Sequence, residues 1–345
     1  MFCLDEFLKS GAVFSLGGQS VILAWGKPKR FTGENELDRN IPAYYFIDFF
    51  LKAAKPWIQY PHWEELTIDD LLVLLVNELH PKANWQIGHK QVFEKSFDRL
   101  QKSFDKKILK KAVPYIFSYS KDMMTSSRLK NCLLNGLKNI QKFPGILYGH
   151  WDEILGIIGV TPETLFTHQN VSSTVETMAV AGTLPTNCNL VDQKTIHEHQ
   201  IVVDYIEDAL KPYGTVKCSP VEMLQLSRFS HLKTPIQVHL EEPFNFSALV
   251  STLHPTPALG AFPKEQGMVW LQDYQTQVQR DYFGAPVGII YKGNAYCHVA
   301  IRQVQWNREG MRIGAGCGVI KESQYEEEWN EIELKVTAIK ELLAL

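Results

Sequence analysis

No CxxC pair occurs among the six cysteines (Cys3, Cys132, Cys188, Cys218, Cys297, Cys317), and their wide spacing argues against both a zinc knuckle and a disulfide framework. A reducing, cytoplasmic compartment is therefore expected. Met1 to Ser10 contains Asp5 and Glu6 and lacks a basic start followed by a long apolar run, so no signal peptide is expected. No stretch of about 18 apolar residues is present, which leaves no membrane span and no membrane partner to expect. Positive charge is not in excess either. With a net charge of -3 and lysines and arginines scattered along the chain, nucleic acid is not an expected partner. Internal repeats and low-complexity linkers are also absent.

What remains is a chain of 345 residues, 45% hydrophobic and 21% charged, with enough apolar side chain for a large globular core. Ala12 to Leu16 and Ser20 to Trp25 flank Gly17-Gly18 and read as a β-hairpin. Apolar residues recur at helical spacing from Ile68 to Leu79 and from Gln91 to Leu109, the second carrying Phe93, Phe97, Leu100 and Phe104. A strand is expected over Ala112 to Ser118, irregular or at an edge because of Pro114. Another is expected over Ile154 to Val160, ending at Thr161-Pro162-Glu163.

The helix after Asp192 shows a stripe of Ile196, His199, Val203, Ile206 and Leu210, with Gly214 past its end. Val287 to Tyr291, Tyr296 to Val304 and Met311 onward read as a β-meander that runs into Gly314-Ala315-Gly316-Cys317-Gly318. The last helix reads as opened by a capping box, Ser323-Gln324-Tyr325-Glu326, with Trp329, Ile332, Val336, Ile339 and Leu343 on its buried stripe. This order of elements implies an α+β fold rather than a doubly wound parallel sheet.

Three groups of residues carry possible chemistry. On the last helix Glu328, Glu331 and Lys335 share one face, which fits either a solvated ion pair or a site for a hard cation. Glu198, in His197-Glu198-His199, stands on an earlier helix and is available to the same cleft. A zinc-protease HExxH motif is excluded because Ile201 and Val202 occupy the positions where its second histidine would be needed. For His197 and His199 a structural role is expected. The segment Leu253-His254-Pro255-Thr256-Pro257-Ala258-Leu259-Gly260 is stiffened by two prolines and suits a pocket wall or an ordinary loop. Gly316 and Gly318 allow backbone amides to approach an anion.

Taken in order, these pieces resemble the chorismate-utilising family, which includes isochorismate, anthranilate, aminodeoxychorismate and salicylate synthases. The matches are Ala181-Gly182-Thr183, His197-Glu198-His199, His231-Leu232-Lys233-Thr234-Pro235, Leu253 to Leu259, Ala300-Ile301-Arg302, Ala315-Gly316-Cys317-Gly318, and Glu328-Trp329-Asn330-Glu331 followed by Lys335. They cover roughly the last 240 residues. The resemblance implies one chorismate-binding domain over 1–345, with large, mainly antiparallel sheets flanked by helices in two pseudo-related halves. Within it, 1–90 is a weakly matching scaffold part and 91–345 the catalytic part.

The Leu253 to Leu259 segment resembles that of isochorismate synthases, which are isomerases. By the same resemblance Lys111 matches the family's general base and Glu163 its general acid, 52 residues apart. Lys110 lies one residue away, and an alignment slip would exchange the two lysines. The resemblance further implies a magnesium ion on Glu198, Glu328 and Glu331. Substrate contacts are implied at Gly182, Thr183, His231, Ala258, Leu259, Arg302, Gly316, Gly318 and Lys335.

The implied partner is the small molecule chorismate, bound by a monomer, with a product that feeds menaquinone, siderophore or other aromatic biosynthesis. A salicylate synthase, an amine-transferring enzyme and a non-catalytic chorismate-binding relative are the alternatives. The chain departs from the family pattern at three places. No arginine closes the strand after Lys111, Leu184-Pro185 follows Thr183, and Gly260-Ala261 follows the proline segment.

Overall fold

The computed structural model describes residues 2–76, 81–185 and 191–345. Eight α-helices lie among the described residues: α1 (Leu4–Lys9), α2 (Ile68–Leu74), α3 (Lys90–Asp105), α4 (Ser126–Ile140), α5 (Gln193–Leu210), α6 (Phe246–Leu253), α7 (Lys264–Gln275) and α8 (Tyr325–Leu343). Around them run three antiparallel sheets, of nine, ten and three strands among those residues. The α+β expectation holds.

The two large sheets pack face to face, because alternating strand residues present one apolar face each. Ala12, Phe14, Ile22 and Ala24 of the nine-stranded sheet meet Tyr44, Phe46, Ile58, Val287 and Ile289 of the ten-stranded one. Helices cover the outer faces. Leu129, Leu133 and Leu137 of α4 and Ile339 and Leu343 of α8 pack on the first sheet. Val202, Ile206 and Leu210 of α5 and Leu249 and Leu253 of α6 pack on the second. The first 90 residues supply strands to both large sheets, among them Gly11–Ser15, Ser20–Trp25 and Ala43–Phe46.

Local signals place several elements as expected. Gly17 and Gly18 take φ of 85° and 58°, the left-handed pair that closes a tight hairpin between Gly11–Ser15 and Ser20–Trp25. All five stripe residues of α8 are buried.

Elsewhere the structure corrects the expectation. The helix expected over Ile68 to Leu79 ends at Leu74, and residues 77–79 lie outside those described. The helix expected over Gln91 to Leu109 ends at Asp105, where Lys107 turns to φ 57°. Ile154 and Leu155 belong to a turn, since their N–H groups donate to Asp152 Oδ1 at 2.8 and 3.0 Å, and the strand runs Gly156–Thr161. Ile196 is exposed, and Thr195, His199, Val202, Val203, Ile206 and Leu210 form the buried face of α5. Ser323 does not cap α8, whose N-cap is Gln324; its hydroxyl instead accepts from Ile320 N–H at 3.2 Å.

Two further corrections bear on the site. The strand expected over Ala112 to Ser118 is two strands, split at Val113-Pro114, because proline has no N–H for the ladder. Lys111–Ala112 is the middle strand of the small sheet, between Ala261–Phe262 and Val319–Ile320. The C-terminal strands are not one meander: Pro286–Tyr291 and Asn294–Val299 belong to the ten-stranded sheet, whereas Gln303–Asn307 and Gly310–Gly316 belong to the nine-stranded one. The chain changes sheet through Ala300-Ile301-Arg302. It also changes sheet at Pro162-Glu163, between Gly156–Thr161 and Thr164–His168.

Candidate active site

The two sheet crossings lie side by side. Val160 N–H donates to Arg302 O at 3.2 Å, and Val299 N–H donates to Glu163 O at 3.0 Å. A chain that leaves one sheet for another frees its next side chain from the pleat, so Glu163 and Arg302 both enter the cavity between the sheet ends. Of the residues to which the resemblance gives a catalytic, substrate or metal role, all except Lys111 and Glu328 line this one cavity. Those two stand immediately behind its wall.

Glu163 is 5% exposed, and its carboxyl has no hydrogen-bond partner among the described residues. Burial disfavours its charged form and pushes its pKa up to about 7, against the opposing pull of Lys111, Lys335 and Arg302. Arg302 holds φ 50°, uncommon for a side chain this large, and its Nη2 is buried without a partner. Its pKa is lowered to about 10 by burial, which the charge of Glu163 partly offsets. A half-buried guanidinium whose N–H groups have no protein partner is a ready carboxylate receptor.

The opposite wall comes from α5, α8 and the strand Thr174–Pro185. Lys335 Nζ lies 2.6 Å from Glu331 Oε1 and donates to Gly316 O at 2.9 Å, and Thr183 Oγ1 donates to the same Glu331 oxygen at 2.8 Å. Burial opposes ionisation of Glu331, but these partners outweigh it and hold its carboxyl below the usual range. Glu328 is raised, first by burial and then by the charge of Glu331. Lys194 Nζ donates to it at 2.6 Å.

Glu198 Oε1 lies 2.9 Å from Lys111 Nζ, and the Lys111 side chain is 1% exposed. Gly318 makes this pair possible, since a Cβ there would fall 1.9 Å from Glu198 Oε1 and 3.0 Å from Lys111 Cε. Lys110, by contrast, is exposed and lies over the Phe262 ring. Of the two adjacent lysines, only Lys111 is turned inward.

Gly182 sits at a register shift in its strand with φ 73°, where a Cβ would meet Thr195 Cγ2 at 2.6 Å. Its carbonyl pairs with His231 Nδ1 at 3.2 Å, which puts the ring proton on Nδ1 and leaves Nε2 as an acceptor. Burial, then the charges of Lys335 and Arg302, lower the His231 pKa to about 3, so the ring is neutral. His199 is buried and paired with Thr234 Oγ1 at 2.8 Å, whereas His197 is half exposed beside Glu322. Neither histidine reaches the cavity lining.

The acids offer hard oxygen donors with mutual repulsion, the chemistry that suits a divalent cation completed by water and ligand oxygens. Among the described residues no three His, Cys, Asp or Glu side chains are grouped so as to hold a metal ion, so Glu198, Glu328 and Glu331 do not stand together as a three-acid ligand set. Glu198 and Glu331 line the cavity and supply two carboxylates to it, Glu328 does not, and each of the three is paired with a lysine.

Two contributors were missed in the sequence. Lys194 lies four residues before Glu198, hence on the same face of α5, and this spacing is a readable signal. Phe229 packs over Arg302, with its centroid 5.1 Å from the guanidinium carbon. It lies two residues before His231 on one strand, so the two share a face. An apolar end of the cavity, lined by Phe143, Ala338, Ile339 and Leu342, had no sequence signal.

A mixed sandwich whose sheet crossings deliver an acid and an arginine opposite a lysine-paired set of carboxylates defines a small-molecule site for an anionic ligand. A sequence model of the family described as Chorismate binding enzyme matches residues 152–344, more than half of the chain. The chain belongs to that family.

Relatives include the "Salicylate biosynthesis isochorismate synthase" of Pseudomonas aeruginosa, 33% identical over 154 residues, which are 44% of this chain and 32% of that protein. The anthranilate synthase component 1 of Saccharolobus solfataricus is 27% identical over 321 residues, covering 84% of this chain and 74% of the relative. "Isochorismate synthase MenF" of Bacillus subtilis is 30% identical, covering 52% and 40%. The chain thus matches less than half the length of these two isochorismate synthases. In fold it is similar to the menaquinone-specific isochorismate synthase MenF from Escherichia coli, with a TM-score of 0.80 at 16% identity over 99% of this chain and 91% of that one. It is also similar to anthranilate synthase component I from Streptococcus pneumoniae, with a TM-score of 0.74 at 14% identity, covering 95% and 93%.

Proposed function

We infer that the protein is an isochorismate synthase, an isomerase that adds water at C2 of chorismate and expels the C4 hydroxyl as water. The observation that carries this reading is the buried Glu163, held near neutrality at about 7 and facing a cavity whose other wall leads to the inward-turned Lys111. Expulsion of hydroxyl needs a proton donor. A carboxyl that keeps its proton near neutral pH supplies one, whereas an ordinary glutamate would already have lost it.

Water attacks C2 as the Lys111 amine takes its proton, both ring double bonds shift (C1=C2 to C1=C6 and C5=C6 to C4=C5), and the C4 oxygen leaves with the proton of Glu163. Lys111 ends charged and Glu163 ionised, and exchange with solvent restores both. The base role requires the amine to be released from its pair with Glu198. Arg302 and the backbone at Gly316 to Gly318 grip one substrate carboxylate, with Lys335 adding charge. Neutral His231 offers Nε2 to a hydroxyl, and Gly182, Thr183, Ala258 and Leu259 shape the rest. Glu198 and Glu331, with Glu328 behind, would hold a magnesium ion, which when bound supplies charge neutralisation for the ring carboxylate.

A second reading, an amine-transferring enzyme, draws support from the 84% coverage by the anthranilate synthase component. Incubation of purified protein with magnesium and chorismate, with and without ammonia, followed by product analysis, separates the two. Isochorismate in both mixtures is expected. An aminated product formed only with ammonia would establish the second reading, and no turnover by folded protein between pH 6 and 9 would leave a binding protein.

A further inference from the structure

Arg302 is half-buried and makes no side-chain hydrogen bond among the described residues, although its Nη2 is shielded from water. Its orientation therefore needs another cause. The Phe229 ring lies over the guanidinium at 5.1 Å and is itself buried. A ring beside a guanidinium attracts the cation without consuming any of its N–H donors, which stay available to a carboxylate.

Phe229 is well placed for this duty. It opens the long strand Phe229–Leu240, its carbonyl accepts from Leu226 N–H at 3.0 Å to close the turn, and the adjacent Arg228 forms a two-pronged pair with Glu341 of α8. The same ring meets the His231 ring edge-on at 5.2 Å. The turn is thus clasped to the helix that carries Glu331 and Lys335.

We propose that Phe229 is the positioning residue for Arg302, holding the guanidinium where its unpartnered N–H donors meet a substrate carboxylate. This rests on the reading of Arg302 as a carboxylate grip. Loss of the ring then weakens substrate binding more than chemistry.

The test compares wild type, Phe229→Leu and Phe229→Tyr, alone and combined with Arg302→Met, for chorismate affinity by calorimetry and for KM and kcat. Phe229→Leu is expected to raise Kd and KM about tenfold with a smaller fall in kcat, and Phe229→Tyr to restore both. In the Arg302→Met background the leucine substitution should add nothing. A leucine variant equal to wild type, an equal loss with tyrosine, or a loss that persists without Arg302 would each overturn the proposal. If wild type neither binds nor converts chorismate, the functional reading fails. The positioning role is then decided by the 15Nε NMR signal of Arg302, which must shift in Phe229→Leu and return in Phe229→Tyr; an unmoved signal overturns it.

Discussion

The two walls of the cavity treat charge in opposite ways. At the sheet crossings the buried Glu163 and the half-buried Arg302 have neither side-chain hydrogen bond nor ion pair among the described residues, whereas on α5 and α8 each of three acids forms an ion pair with a lysine: Glu198 with Lys111, Glu328 with Lys194 and Glu331 with Lys335. The unpaired wall keeps a proton and an open donor edge. The paired wall offsets each carboxylate with an ammonium. A buried charge without partners costs several kcal/mol, so the crossings are where the fold concentrates its electrostatic tension.

Substitutions that break this contrast should act in a graded series. The largest loss is expected for Lys111→Ala and Glu163→Gln, about 10² to 10⁴ in the rate of chorismate conversion, with the folded state retained as judged by circular dichroism. Chorismate turnover by either variant within a factor of three of wild type would remove that residue from the chemistry. Next, Lys194→Met leaves Glu328 buried beside Glu331 with its partner gone. Urea unfolding at pH 8 should show a loss of about 3 kcal/mol, shrinking as the pH is lowered because burial favours the protonated form of Glu328; a neutral result would mean that the pair is not stabilising.

Glu163 gives a pH signature of comparable size and defined sign. Its pKa is higher in the fold than in the open chain, so its contribution is fully present below about 4.5 and is lost as pH rises through about 7. Relative to Glu163→Gln, wild type should therefore lose about 3 kcal/mol of stability between pH 4 and pH 8. Parallel stability curves for the two proteins would contradict it. The smallest effect is expected from Gly318→Ala, whose methyl would displace the Glu198 carboxylate. About a tenfold rise in the magnesium needed for half-maximal rate is anticipated, and an unchanged requirement would separate Glu198 from the cation.

Local chemistry made parts of this molecule legible in the sequence. The Gly17-Gly18 turn and the α8 stripe are set by backbone freedom and helical period, both of which act over a few residues. The convergence of most proposed site residues came from family motifs, since no spacing rule brings residue 163 beside residue 302. The changes of sheet at Pro162-Glu163 and Ala300-Arg302 escaped notice because a meander and a crossing differ only in which distant strand each ladder joins. Ser323 has the composition of a cap, yet its hydroxyl is taken by Ile320 N–H. Phe229 looked like one more apolar strand residue, because its meaning lies in a cation 73 positions away.

The most direct measurement is the titration of the Glu163 carboxyl by 13C NMR on labelled protein, with the signal assigned from Glu163→Gln. A midpoint near 7 is predicted. A midpoint at the ordinary value of about 4.5 would show a solvated, ionised acid at the crossing and contradict the account of the site.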